Sequence, residues 1–207
     1  MLTRIKICGI TRTEDALAAS AAGAYAIGLM FCPQSPRHLE LDQAAAIRRC
    51  LPPFVVAVAV FLDASEDEIR GVVRQVRPDC LQFHGREPEA FCRAYGLPYL
   101  KTVPMTGVDP VEFANRYPSA HGFLLDSHAP GQPGGSGRGF NWAQAPKKLG
   151  APLILAGGLN PDNVADAIRQ VRPYAVDVSS GVESSAGIKD AALMQAFVKG
   201  VQRGDLK

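Results

Sequence analysis

Leu153-Ile-Leu-Ala-Gly-Gly-Leu-Asn-Pro-Asp-Asn-Val-Ala-Asp-Ala-Ile-Arg-Gln-Val171, leading to Ala175-Val-Asp-Val178, holds the pattern that decides the fold. Leu153 to Ala156 is a short apolar run of strand length, and Gly157-Gly158 ends it. Asn160-Pro161 places a capping side chain before a proline at the first helical position. The apolar residues that follow are spaced for one face of a helix, Pro161 to Val171, and a second apolar run begins at Ala175. This is one strand, one crossover helix and the next parallel strand.

Reading outward in both directions, the unit recurs eight times. The other predicted strands are Arg4 to Cys8, Tyr25 to Met30, Phe54 to Phe61, Cys80 to Phe83, Tyr99 to Val103 and Gly122 to Asp126. Helices are predicted over Thr13 to Ala22, Leu41 to Cys50, Ser65 to Val76, Pro88 to Tyr95, Pro110 to Tyr117, Trp142 to Leu149 and Lys189 to Val201. Ser65-Glu-Asp-Glu68 matches the capping box, in which a hydroxyl and a carboxylate satisfy the first free amides. Eight units of about 26 residues predict a closed (β/α)8 barrel, a TIM barrel of near-minimal length, as one domain over residues 1–207. An open doubly wound sheet usually has five or six strands and often a Gly-x-Gly-x-x-Gly turn after the first. Here the first strand runs into Cys8-Gly-Ile-Thr11 instead.

Composition narrows the function classes. Of 207 residues, 47% are hydrophobic and 20% charged, and the formal net charge of +2 has no block of like charges behind it. Neither nucleic acid nor an anionic membrane surface is expected as a partner. No signal-peptide core and no run of about 18 apolar residues occurs, so a cytoplasmic protein is expected. The five cysteines are scattered, without a Cys-x-x-Cys pair, which argues against a disulfide framework or a zinc site; no metal is expected.

In a barrel of this kind, chemistry sits where strands end at their C-termini. That rule selects Cys8, Arg37, His84 and Asp126, with the glycine-bearing loops after the seventh and eighth strands. Gly157, Gly158 and Gly181 let backbone amides approach a phosphate, although each alone reads equally well as a tight turn. Cys8 alone reads most simply as a small buried hydrophobe, and Asp126 as a turn carboxylate. Together they form an acid/base pair across one mouth. Arg37 by itself is a surface arginine in a proline-rich turn, and His84 a structural histidine. Alternation along a strand points Lys6 the same way as Cys8 and Asp177 the same way as Ser179. Since the first and eighth strands are neighbours in a closed barrel, Lys6 and Asp177 are expected to meet beneath the site. The stretch from Ser127 to Phe140, with Gly134-Gly-Ser-Gly137, is expected to close over substrate.

Lys6-Ile-Cys-Gly-Ile-Thr11, Gly28-Leu-Met-Phe-Cys-Pro-Gln-Ser-Pro-Arg37, Gln82-Phe-His-Gly85, Leu124-Leu-Asp-Ser127, Ala156-Gly-Gly-Leu-Asn-Pro-Asp-Asn-Val164 and Val176-Asp-Val-Ser-Ser-Gly-Val-Glu183 together resemble the phosphoribosylanthranilate isomerase family of tryptophan biosynthesis. The family's Gln-Leu-His-Gly has phenylalanine in place of leucine here. The resemblance implies an Amadori rearrangement of N-(5-phosphoribosyl)anthranilate to 1-(2-carboxyphenylamino)-1-deoxyribulose 5-phosphate, without cofactor or metal. It implies Asp126 as general acid, Cys8 as base, Arg37 on the anthranilate carboxylate, and Gly157, Gly158, Ser180 and Gly181 on the phosphate. His84 and Asp177 are expected to line the pocket. The expected partner is a small phosphosugar, and the expected assembly a monomer or homodimer. A ribulose-phosphate epimerase, a bifunctional isomerase also serving histidine biosynthesis, or a catalytically silent phosphosugar-binding protein would share the phosphate loops. The first two are expected to carry a different acid/base set, typically without a cysteine at position 8, and the presence of Cys8, Asp126 and Arg37 together argues against the third.

Overall fold

The computed structural model describes residues 2–127 and 140–206. Eight parallel strands close into a barrel in sequence order: β1 (Arg4–Cys8), β2 (Ala26–Met30), β3 (Val56–Phe61), β4 (Cys80–Phe83), β5 (Tyr99–Pro104), β6 (Gly122–Asp126), β7 (Leu153–Leu155) and β8 (Ala175–Val178). The ring shuts between β8 and β1, with Lys6 opposite Asp177. Alternation divides the side chains into two sets. Ile7, Leu29, Ala59, Phe83, Leu125 and Val176 point outward, into one continuous core beneath the helices. Cys8, Val58, Val60 and Cys80, and separately Leu124, Ile154, Ala156 and Ala175, fill the inside of the barrel.

The crossover helices are α1 (Thr13–Ala22), α2 (Leu41–Cys50), α3 (Glu66–Gln75), α4 (Glu89–Cys92), α5 (Pro110–Asn115), α6 (Val164–Val171) and α7 (Ala191–Asp205). Both halves of the Ser65–Glu68 capping box are present at the start of α3. Asn160 Oδ1 accepts from the amides of Asp162 and Asn163, so this cap organises a turn and regular helix begins only at Val164.

The helix expected over Trp142 to Leu149 does not form: a single 3-10 turn, Trp142–Gln144, stands there. Pro146 forces Ala145 into extended backbone and ends the turn. A second departure is a hairpin after β8, β9 (Glu183–Ser185) paired with β10 (Ile188–Lys189), where no strand was expected. The segment expected to close over substrate lies, between 128 and 139, outside the described residues. No helix of the described residues is long and apolar enough to cross a membrane.

Candidate active site

Every residue selected from the sequence as lying at a strand's C-terminal end lies at the same end of the barrel. Cys8 and Asp126 are the last residues of β1 and β6, and both are buried. His84 follows β4, Arg37 lies in the turn after β2, and Gly157 and Gly158 follow β7. Ser180 and Gly181 belong to a 3-10 turn, Ser180–Val182, after β8. The two glycine loops touch: a Cβ on Gly181 would overlap the carbonyl oxygen of Leu159. Gly157 and Gly158 have φ of 81° and 68°, a left-handed backbone that suits glycine.

Cys8 sits above a buried ion pair within the barrel. Lys6 Nζ lies 2.9 Å from Asp177 Oδ1, and both side chains are almost wholly enclosed. Burial pushes the Cys8 thiol up from its ordinary value; the Lys6 ammonium opposes that rise, Asp177 adds to it, and Lys189 again opposes it. Burial raises the Asp177 carboxyl too, against the pull of Lys6. The pair meets as the strand alternation predicts.

Asp126 Oδ1 accepts from the Ser127 amide at 2.7 Å, while Oδ2 lies 3.9 Å from His84 Nε2. The imidazole is oriented from behind, with Nδ1 3.2 Å from Thr102 Oγ1. Its turn is clamped by Lys101, which reaches from the outer face of β5. That fully buried ammonium donates to the carbonyls of Phe83 and Gly85, at 3.1 and 2.6 Å, and to Glu87 Oε2 at 3.0 Å. The sequence reading missed Lys101 and Glu87, because nothing local separates a buried lysine in a strand from an exposed one.

Arg37 is also more embedded than a turn arginine. Its Nε and Nη2 donate to the two carboxylate oxygens of Glu183, at 2.7 and 2.8 Å. Lys189 Nζ donates to Glu183 Oε1 at 2.8 Å and to the Ser179 carbonyl at 3.0 Å. The stem of Arg37 crosses Gly9, where a Cβ would overlap Arg37 Cδ. Neither Glu183 as a partner of Arg37 nor Lys189 was legible, since the contact spans 146 positions of sequence. Among the described residues no group of three or more His, Cys, Asp or Glu is arranged to hold a metal.

Residues 5–200 match the family model described as N-(5'phosphoribosyl)anthranilate (PRA) isomerase. The chain belongs to that family. The isomerase of Pseudomonas aeruginosa (strain UCBPP-PA14) is 55% identical over 200 residues, covering 96% of this chain and 95% of that one. Among solved structures, phosphoribosyl anthranilate isomerase from Thermotoga maritima superposes with a TM-score of 0.89 at 40% identity, over 97% of this chain and 99% of that one. An isomerase of the family solved with reduced 1-(o-carboxyphenylamino)-1-deoxyribulose 5-phosphate bound is similar at a TM-score of 0.83 and 37% identity, with 97% and 99% of the chains covered. A further Thermotoga maritima structure, described as monomers generated from a dimeric isomerase, gives 0.82 and 36% over the same shares.

Proposed function

We propose that this chain is an aldose-ketose isomerase of tryptophan biosynthesis, converting N-(5-phosphoribosyl)anthranilate to 1-(2-carboxyphenylamino)-1-deoxyribulose 5-phosphate within a single barrel domain. The observation that carries the reading is a buried carboxyl, Asp126, and a buried thiol, Cys8, at the same mouth of one closed barrel. Asp126, as the acid, gives its proton to the ribose ring oxygen while the anilino nitrogen lone pair forms the C1–N double bond and the C1–O bond breaks. Cys8, as thiolate, then takes the proton from C2; the electron pair forms the C1–C2 double bond and neutralises the iminium nitrogen. The enolamine tautomerises to the ketone. The iminium is the electron sink, so these residues suffice for the proton transfers.

Burial makes the Cys8 thiolate scarce but strongly basic, and the Lys6 ammonium offsets part of the scarcity. His84, 3.9 Å from Asp126, lines the pocket beside the acid, and Asp177 lies below the thiol. The phosphate is held by backbone amides of Gly157, Gly158, Ser180 and Gly181, where the two loops touch. Arg37 presents the guanidinium edge not engaged by Glu183 to the anthranilate carboxylate. The test is product formation by the purified chain from phosphoribosylanthranilate. A folded chain that leaves this substrate unchanged rules the reading out.

A second copy of this chain is the partner that the opposite face supports. Phe54 is 98% exposed with φ of 72°, a costly backbone for an aromatic residue, and Leu2, Tyr25, Val56 and Tyr174 are exposed near the same N-terminal strand ends. Close by in sequence, a cavity of about 420 Å³ is lined by Ala45, Arg48, Leu51, Arg74, Val76 and Arg77. An exposed aromatic ring and an arginine-lined cavity on one chain are the two halves that a twofold dimer could pair, the ring of one copy stacking on the arginines of the other.

A further inference from the structure

Arg37, Glu183 and Lys189 form a buried cluster in which no side chain is assigned a proton transfer. Glu183 occupies the Nε–Nη2 edge of the guanidinium in parallel, two-point fashion, which fixes the plane of the group and leaves the Nη1–Nη2 edge for another acceptor. Gly9 supplies the floor for the arginine stem. Lys189, its side chain fully enclosed, joins Glu183 to the carbonyl of Ser179, the residue just before the phosphate loop. The backbone of Lys189 is anchored in turn: its amide donates to Asp15 Oδ2 at 3.1 Å, and Arg12 braces the same carboxylate through two hydrogen bonds.

The charges do not balance. Two cations share one carboxylate, and the hydrogen bonds from Arg37 and Lys189 hold Glu183 below its ordinary value despite its burial. A buried cluster with one positive charge in excess is less favourable than a neutral one, and a second carboxylate would complete it. Three charges are also a costly means of merely fastening loops, which apolar contacts do more cheaply.

We infer that Glu183 and Lys189 are positioning residues: Glu183 aims Arg37 at the substrate carboxylate, and Lys189 ties that arginine to the phosphate loop, setting the spacing between the two anionic ends of the substrate. The inference rests on the proposed role of Arg37. It explains why Glu183 closes the Ser-Ser-Gly-Val-Glu run and begins a hairpin whose other strand carries Lys189.

The test measures two competitive inhibitors, anthranilate and inorganic phosphate, against turnover by Glu183→Gln, Lys189→Met, Arg37→Ala and the Glu183→Gln/Arg37→Ala double variant. Glu183→Gln is expected to weaken anthranilate about tenfold, the scale of one charge-assisted contact, with phosphate inhibition unchanged and kcat within about threefold of the parent. Lys189→Met is expected to weaken both inhibitors. In the Arg37→Ala background Glu183→Gln is expected to do nothing more, since it acts through the arginine. If Arg37→Ala weakens anthranilate but Glu183→Gln does not, the positioning inference is wrong while the role of Arg37 stands. If Arg37→Ala leaves anthranilate unaffected, that role itself fails. Should Glu183→Gln not fold, Glu183→Asp keeps the charge and withdraws it by one methylene; the same selective loss is expected, and an equal loss for both inhibitors would overturn the inference.

Discussion

Cys8 stands directly opposite Gly28 across the β1–β2 pair, and a Cβ on that glycine would lie 2.5 Å from the Cys8 sulphur. The glycine is therefore the space in which the thiol sits. Gly28→Ala drives the sulphur off its position and also presses on the Cys8 Cα and Cβ, which the new methyl would approach to 3.0 and 3.2 Å, and kcat is expected to fall about 100-fold, the scale of a misplacement near 1 Å. Steady-state kinetics beside a thermal melt check this. Unchanged kcat in the folded variant would mean that the thiol has no required position.

The interior pair below the thiol gives two shifts of opposite sign. Lys6→Met removes the ammonium that opposes the burial-driven rise of the Cys8 thiol, so the limb of kcat/KM on which the thiolate forms moves to higher pH. Asp177→Asn removes a carboxylate that adds to the rise, and the limb moves to lower pH. The pH dependence of Cys8 alkylation, followed by peptide mass, reads the same quantity without turnover. Shifts in the same direction in both variants would show that the electrostatic coupling is misassigned.

Acid stability separates the mouth cluster from the interior pair. The folded carboxyl of Glu183 is held below its ordinary value, so its contribution is fully present above that value and is lost as pH falls through the folded one. Asp177 is raised in the folded state and acts with the opposite sign. Glu183→Gln is therefore expected to lose less stability than the parent between about pH 5 and pH 3. Urea midpoints at the two pH values decide it, and equal losses would contradict the assignment.

At the opposite face, Phe54→Gly removes an exposed ring and suits the left-handed backbone at that residue. Relief of about 1 kcal/mol is expected in the folded chain, together with loss of the proposed dimer. Sedimentation velocity at matched concentrations is the measurement. A parent and variant that sediment alike would remove Phe54 as the dimer anchor.

Strand-helix alternation made the barrel legible, because parallel strands buried on both faces read as short apolar runs broken by caps and glycines. The sixth crossover misled: Trp142 to Leu149 has apolar spacing, but Pro146 interrupts the backbone hydrogen bonds that such spacing presupposes. Cys8, Asp126 and Arg37 could be located because strand ends are readable positions. The Lys6–Asp177 contact was predictable for a further reason, that barrel closure makes neighbours of the first and last strands. Glu183, Lys189, Lys101 and Glu87 were not, since pairing among buried charges depends on loop paths that no local pattern encodes.

Cys8 and Asp126 are proposed to divide one proton-transfer sequence between them. The deciding measurement is turnover of phosphoribosylanthranilate by Cys8→Ala and Asp126→Asn, each shown to be folded and each set beside the parent. Each variant is expected to lose at least about a thousandfold in kcat, within the range for removing a positioned acid or base. A folded Cys8→Ala or Asp126→Asn chain with kcat within about threefold of the parent would show that the substituted residue does not carry its proton transfer.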